Sequence, residues 1–269
     1  MMSEFILRKQ KGIWYGVFPQ LERLGVVHGF TCRLHGESDL LPQTLNLALH
    51  VGDNKDKVLH NRALVATALE LPLDKITTCE QVHGTKVTKV TAALVGSGAH
   101  DFAQTLAATD ALITNLKTVP LMLFFADCVP VMLADPVTGV IGLAHAGWRG
   151  SVGEIAKKTV QKMVQEYRVK PENLVAAIGP SIGACCYEVD TTVYTKAPKY
   201  QSCFQATTAG HWQLDLWQMN KLQLLEAGLK PQNVLCADLC TAENKEIFFS
   251  YRAENGKTGR LAAIICQVQ

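Results

Sequence analysis

Residues Val119 to Gly150 read VPLMLFFADCVPVMLADPVTGVIGLAHAGWRG, and three short apolar runs divide them. Val119–Asp127, Val129–Asp135 and Gly139–His145 are punctuated by Asp, Pro and Gly, so they read as buried strands. Asp135-Pro136-Val137-Thr138-Gly139 holds residues that favour a tight turn between the second and third runs. Adjacent strands joined this way predict antiparallel pairs. The longest apolar region, Val119–Ala134, is interrupted by Asp127 and Pro130 and is too short to cross a membrane.

Working outward, Leu174–Ile178, Val234–Ala237, Ile247–Tyr251 and Leu261–Cys266 are further strand candidates. Three helices are expected. Lys55–Leu69 follows a polar Asp53-Asn54 start, with Val58, Arg62, Val65 and Leu69 at helical spacing. After Gly150, the residues Val152, Ile155, Thr159, Met163 and Tyr167 form a stripe, and Ser151 with Glu154 matches the S-x-x-E capping box that would start this helix. The third runs from Asp215 to Ala227, with Gly228 as its C-cap. These elements predict one α/β (α+β-like) domain over residues 1–269, with a mixed β-sheet flanked by helices.

At 269 residues the chain has 48% hydrophobic and 19% charged residues, a balance that excludes intrinsic disorder and supports a large core. Twenty-six basic against 24 acidic residues leave +2, so no global charge points to nucleic acid or a membrane surface. Met1–Gln10 has no apolar run of signal-peptide length. Nine cysteines form an odd number without the dense spacing of a disulfide scaffold. A cytoplasmic protein with reduced thiols is expected. Monomer is the default, since no heptad or interface stripe is seen.

Three segments combine metal ligands with turn glycines: Glu80–Gly84 (EQVHG), Ala126–Pro130 (ADCVP) and Ala144–Gly150 (AHAGWRG). His83, Cys128 and His145 lie 45 and 17 positions apart, too wide for a zinc finger. A His, Cys, His set at strand ends suits a catalytic site that keeps one position open. The competing reading is that both histidines cap strands and Cys128 is a core thiol. Arg149, just ahead of the capped helix, would hold an anion together with the helix amides; otherwise it sits in a surface ion pair. Ile178–Gly183 (IGPSIG) follows a strand and can line a pocket, but matches neither Walker A nor G-x-G-x-x-G. Asn46, in the polar cluster of Asn46, His50 and Asp53, is either a substrate-binding residue or part of an N-cap region. Cys185-Cys186 is adjacent rather than C-x-x-C, which argues against a redox pair. His28, His35, His60, His100 and His211 read as surface or structural histidines.

Taken together, these segments resemble the YfiH/YlmD-like proteins, the laccase-domain or polyphenol oxidase family, whose members are described as purine nucleoside phosphorylases. The resemblance spans nearly the whole chain: LNLALHVGD (45–53), QVHGTKV (81–87), DALIT (110–114), ADCVPVMLAD (126–135), HAGWRG (145–150), IGPSIGACCYEV (178–189) and FFSYR (248–252). One departure stands near the start. Family members often carry Arg-x-Gly-Gly there, whereas Arg33-Leu34-His35-Gly36 has His35 in place of the first glycine.

The resemblance implies zinc held by His83, Cys128 and His145, and a small-molecule substrate: a purine nucleoside with phosphate. The implied reactions are phosphorolysis of adenosine, inosine, guanosine and methylthioadenosine, and deamination of adenosine. Deamination would need a general acid/base, for which Glu80 and Asp127 are candidates; phosphorolysis would need phosphate held by Arg149 or Arg33. Three alternatives remain open. One is a cysteine hydrolase with Cys128 as nucleophile and His145 or His83 as base, as some relatives are implicated in editing muramyl-peptide cell-wall precursors. Another is a copper polyphenol oxidase, which eight scattered histidines without H-x-H pairs do not favour. The last is a non-enzymatic metal-binding protein.

Overall fold

The computed structural model describes residues 5–41 and 44–268; the first four residues of the N-terminal stretch read above lie outside them. Three strands open the chain: β1 (Ile6–Gln10), β2 (Ile13–Val17) and β3 (Val26–Thr31). Next come β4 (Val87–Lys89), β5 (Ala111–Thr114), β6 (Leu121–Phe125), β7 (Val129–Ala134) and β8 (Ile141–Ala146). The last third holds β9 (Val175–Ile178), β10 (Glu188–Asp190), β11 (Phe204–Ala206), β12 (His211–Leu214), β13 (Val234–Cys236) and β14 (Leu261–Gln267). The α-helices are α1 (Pro19–Glu22), α2 (Lys55–Ala68), α3 (Trp148–Val152), α4 (Ile155–Tyr167), α5 (Thr191–Tyr194) and α6 (Leu216–Glu226).

The fold is mixed α/β, with three sheets where one was expected. A five-stranded antiparallel sheet has the order β1-β2-β3-β14-β6, a six-stranded sheet the order β13-β9-β7-β8-β5-β4, and a small sheet the order β10-β12-β11. The six-stranded sheet is mixed: β13 with β9 and β4 with β5 pair parallel, while the central pairs are antiparallel.

Side-chain alternation explains the layering. On β6, Leu121, Leu123 and Phe125 face a core between the two large sheets, while Met122 and Phe124 face a second core beneath α2. On β7, Met132 and Ala134 point into the inter-sheet core, and Val129, Val131 and Leu133 into a third core under α4 and α6. Both faces of each central strand are therefore covered. That is why the 119–146 stretch reads as continuous apolar runs without alternation.

β7 and β8 pair through the expected Asp135–Gly139 turn, where the Asp135 carboxylate accepts from Val137 N–H and the Thr138 hydroxyl and Gly139 takes φ +70°. β6 and β7, though consecutive, lie in different sheets. The chain crosses between the sheets at Ala126–Cys128, with Asp127 in the left-handed region at φ +79°.

Two helices start as read. The Asn54 side chain caps α2 by accepting from Asp56 and Lys57 N–H, and Asp215 caps α6 through Gln218 N–H. Arg62, on the α2 stripe, is buried with its guanidinium donating to the carbonyls of Leu47, Gly98 and Ala99.

The expected capping box is not formed. Ser151 lies inside the short α3, its hydroxyl donating to the Ala146 carbonyl and accepting from Asn220. Glu154 takes φ +64°, which ends α3 and lets α4 begin at Ile155; its carboxylate accepts from Lys199 and Tyr200. Ile247–Tyr251 is also not a strand. Its backbone closes on itself, with Ile247 and Phe248 N–H donating to the Asn244 carbonyl, and it buries Phe248 and Phe249 from a loop. Among the described residues no helix is long and apolar enough to cross a membrane.

Candidate metal centre

Strand register assembles the centre. Ala111 pairs with Ala144 and Val129 with Ala146, so the next positions outward set Asp110 beside His145 and Cys128 beside Gly147. His145 N–H donates to the Asp110 carbonyl at 2.8 Å. The β6-to-β7 crossing delivers Cys128, and the loop before β4 brings His83 over the same edge. One ligand atom from each of His83, Cys128 and His145 lies within 4.8 Å of the other two. Gly147 makes this approach possible. A Cβ there would sit 2.8 Å from the Cys128 sulfur and 3.0 Å from Cδ2 of His83.

Asp110, fully buried, was not singled out from the sequence, yet it ties the set together. Oδ1 accepts from His83 N–H at 2.9 Å and from Nδ1 of His145 at 3.0 Å; Oδ2 accepts from Gly84 N–H at 2.7 Å and Val82 N–H at 3.3 Å. With Nδ1 committed to Asp110, Nε2 of His145 is the nitrogen left for a ligand role, the arrangement usual behind metal-binding histidines.

Desolvation pushes the Cys128 thiol up, but the His145 charge and hydrogen bonds from His145 and His83 outweigh it and bring the thiol down to about 6. Burial lowers His145, and the Cys128 and Asp110 charges more than reverse that, raising it. A sulfur favoured as thiolate, with two imidazoles around it, is a donor set that fits a divalent or monovalent transition metal.

Above this set lies a cavity of about 540 Å³, within the usual range for small-molecule sites. Phe124, Trp148, Tyr187 and Tyr251 supply aromatic walls, and Arg149, Arg252 and Arg260 supply charge. Among the described residues the ion-paired arginines are Arg8 and Arg33, so none of the three cavity arginines is paired with a carboxylate. Instead they lie against rings: Arg149 on Trp148 at 4.4 Å, Arg252 on Tyr187 at 5.0 Å and Arg260 on Tyr251 at 5.6 Å. Desolvation lowers Arg260 from its ordinary value, yet the group stays cationic. His50, packed on Phe102 and Phe124, is held down at about 4 by burial and by the Arg260, Arg62 and His145 charges, so it faces the cavity neutral.

The profile of the family described as "Multi-copper polyphenol oxidoreductase laccase" matches residues 27–267. The chain belongs to this family. It is 42% identical to the purine nucleoside phosphorylase YlmD of Geobacillus stearothermophilus over 246 residues, 90% of each chain. With the protein of the same name from Bacillus subtilis it shares 37% over 244 residues, 89% of this chain and 88% of that one. The crystal structure of YlmD from Geobacillus stearothermophilus superposes with a TM-score of 0.93 at 38% identity, covering 99% of this chain and 100% of that one. YfiH of Bacillus licheniformis superposes at 0.91 and 36% identity, covering 95% and 96%.

The structure assigns this laccase-family chain's other expected site residues unevenly. Arg149 and Asp127 line the cavity. The dipole argument for Arg149 falls away, because the helix that starts there is only five residues long. The Asp127 carboxylate is occupied, accepting from the Thr241 hydroxyl at 2.7 Å and from Arg252 N–H at 2.6 Å. Arg33 does not line the cavity; it pairs with Glu254 at 2.9 Å, donates to the Lys245 carbonyl and stacks on Phe249.

Asn46 does not line it either. It is buried, donating to Asp53 and the Ala48 carbonyl, but its Oδ1 accepts from Arg260 N–H at 2.9 Å and so places a cavity arginine. Glu80 does not line the cavity, and its carboxylate accepts from Ala108 N–H. His35, standing where the family's glycine would, adopts φ +63°, a left-handed conformation that glycine takes without cost. Gly36 is retained for a different reason: a Cβ there would lie 2.3 Å from the Thr44 carbonyl oxygen. Arg252 and Arg260 went unread because each reaches the cavity from a C-terminal loop. Arg252 lies inside the FFSYR motif, the one signal that marked it.

Proposed function

We propose that this protein is a zinc-dependent purine nucleoside enzyme, cleaving nucleosides with phosphate to base and ribose 1-phosphate and also deaminating adenosine. The relatives named as purine nucleoside phosphorylases support the substrate class. The observation that carries the reading is the His83, Cys128 and His145 set at the foot of a cavity with three arginines that lack carboxylate partners. Zinc held by His83, Cys128 and His145 would supply Lewis acidity to a bound substrate or water.

The chain's own groups do the rest. Arg149, Arg252 and Arg260 gather and orient the phosphate whose oxygen attacks ribose C1′, while the electron pair of the opening glycosidic bond leaves with the purine, which takes up a proton. Phe124, Trp148, Tyr187 and Tyr251 offer flat faces to a purine and exclude water from it. Asp110 fixes the imidazole of His145. His50, neutral near pH 7, can accept or donate one hydrogen bond within the cavity.

A His₂Cys set also accommodates copper. Among the described residues no methionine lines the cavity, and the Gln81 amide is engaged at both ends by the Phe124 backbone, so neither side chain that usually supplies the weak axial ligand of a blue-copper site is free there. Zinc is the better match.

One observation favours a second reading. Asp110, His145 and Cys128 are also arranged as an acid, a base and an activated thiol, which would serve a metal-free hydrolase. Metal analysis joined to a nucleoside screen separates the two. The expected result is about one zinc at this site, lost in Cys128→Ser, with inosine cleavage that needs phosphate. Activity retained after metal removal, with fast alkylation of Cys128 in untreated protein, would overturn the zinc reading in favour of the thiol.

A further inference from the structure

A second cluster of soft ligands lies behind the cavity wall. Cys185, Cys186 and Cys240 bring their sulfur atoms within 4.8 Å of one another. Cys185 is exposed, Cys186 half-buried and Cys240 buried, so the group opens to solvent on one side only. Two segments far apart in sequence meet here through a parallel bridge between Ser181 and Cys240. Ser181 N–H donates to the Leu239 carbonyl at 3.2 Å, and Thr241 N–H donates back to the Ser181 carbonyl at 3.0 Å.

The turn carrying Cys185 and Cys186 closes onto Cys240 because residue 183 is glycine. Its N–H donates to the Cys240 sulfur at 3.3 Å, and a Cβ there would sit 2.9 Å from Trp217 and 3.2 Å from the Cys185 sulfur. The two Ser181 backbone bonds hold the segments together without help from the thiols. Burial, the two neighbouring thiols and the hydrogen-bonded Glu243 carboxylate all push the Cys185 thiol up. Burial, the Cys240 thiol and the Glu243 charge raise Cys186 as well, against a lowering hydrogen bond from Cys185. Each neighbour named here is a thiol or a carboxylate, and a bound cation is what would balance such a group.

We propose that Cys185, Cys186 and Cys240 form a second metal site for a thiophilic cation of the Zn²⁺ or Cu⁺ class, with Glu243 as an available fourth ligand. Three sulfurs at about 2.3 Å from one ion stand roughly 3.8–4 Å apart. The cluster therefore needs to contract by at most about 1 Å, within reach of side-chain rotation alone. Binding is a proton exchange without redox change: each thiol that ligates the ion releases its proton to solvent. Tyr187, next in the chain, lines the cavity, so an occupied site would brace that wall. The proposal does not depend on what the cavity binds.

The test uses the full chain carrying Cys128→Ser, so that any thiolate–metal signal arises elsewhere, under anaerobic reducing conditions. Zn²⁺ and Cu⁺ are offered separately, and Co²⁺ serves as the optical probe. Cobalt should give thiolate charge-transfer absorption that disappears on adding Cys185→Ser and Cys186→Ser. Iodoacetamide labelling of Cys185, read by peptide mass, should slow by at least about tenfold when one of the two metals is bound. This arm leaves the cluster unmutated, so it stands even if a variant folds poorly. Labelling unaffected by either metal, or a cobalt band that survives both substitutions, overturns the proposal.

Discussion

Asp110→Asn removes one charge and converts one acceptor oxygen into a donor where four N–H groups converge. Oδ1 serves His83 N–H and Nδ1 of His145, and Oδ2 serves Val82 and Gly84 N–H. Whichever way the amide is turned, its nitrogen faces two donors. Asp110 is fully buried, so water cannot replace the lost acceptor. Each unsatisfied buried donor costs about 1–3 kcal/mol, so with two of them the variant should lose about 2–6 kcal/mol of folding stability. Freed from Asp110, the His145 ring loses its fixed tautomer, and zinc affinity should fall by about tenfold to hundredfold.

The pH dependence has a definite sign. Desolvation raises the Asp110 carboxyl, but the His145 hydrogen bond and charge and the loop N–H groups outweigh it and hold the acid below its ordinary value. A depressed carboxyl contributes stability that is complete above its unfolded pKa, about 3.9, and is lost as pH falls through the folded one. Wild-type protein should therefore lose this contribution only in strong acid, while Asp110→Asn lacks it throughout. Urea unfolding of chelator-treated protein measures stability, and competition with a chromophoric chelator measures zinc. Wild-type stability in the chelator-treated variant would refute the reasoning, since the hydrogen bonds owe nothing to the metal.

Three further outcomes are expected. Arg149→Ala should raise the phosphate KM of inosine cleavage by roughly tenfold to hundredfold with zinc content unchanged, as for loss of one charge-assisted contact; an equal fall in phosphate-independent adenosine deamination would make Arg149 structural. Gly147→Ala should fold normally, because φ −62° suits alanine, yet lose most of its zinc as the new Cβ displaces Cys128 and His83; full zinc content by elemental analysis would refute that crowding. His28 accepts Phe18 N–H at Nε2 and is held down at about 4 by burial, so folding disfavours its charged form and stability should drop by about 2 kcal/mol between about pH 7 and pH 5. His28→Gln should remove about that much of the slope in urea titrations and leave a drop of similar size, because His50 is held down at about 4 as well.

What was readable from the sequence had local causes. The Asn54 and Asp215 caps, the Asp135–Gly139 turn and the apolar runs of β7 and β8 each depend on residues a few positions apart. The failures had distant causes. Ser151 and Glu154 match a capping box, but Asn220 engages Ser151, and Lys199 and Tyr200 engage Glu154, from elements about 45 to 70 residues further along. The single sheet expected became several because β14, from the C-terminus, pairs with β6 across five residues and draws it into a sheet apart from β7. Two apolar strands of similar length carry no mark of which sheet will take them.

The same distinction governs the site. His83, Cys128 and His145 could be singled out because each lies in a motif with its own turn glycine, and the strand ends bring those motifs together. Asp110 sits in DALIT looking like the polar end of one more buried strand. It gains its role only because Ala111 pairs with Ala144, which sets its carboxylate against the ring of His145. Arg33 and Arg260 invert the expectation in one stroke. Arg33 faces Glu254 and three carbonyl or ring partners, so its charge is neutralised within the fold. Arg260 donates to carbonyls and lies on a tyrosine ring, with no carboxylate in ion-pair contact among the described residues. Whether the fold provides an arginine with a carboxylate is a property of the packed chain, so residue type and motif could place Arg149 at the cavity but could not separate Arg33 from Arg260.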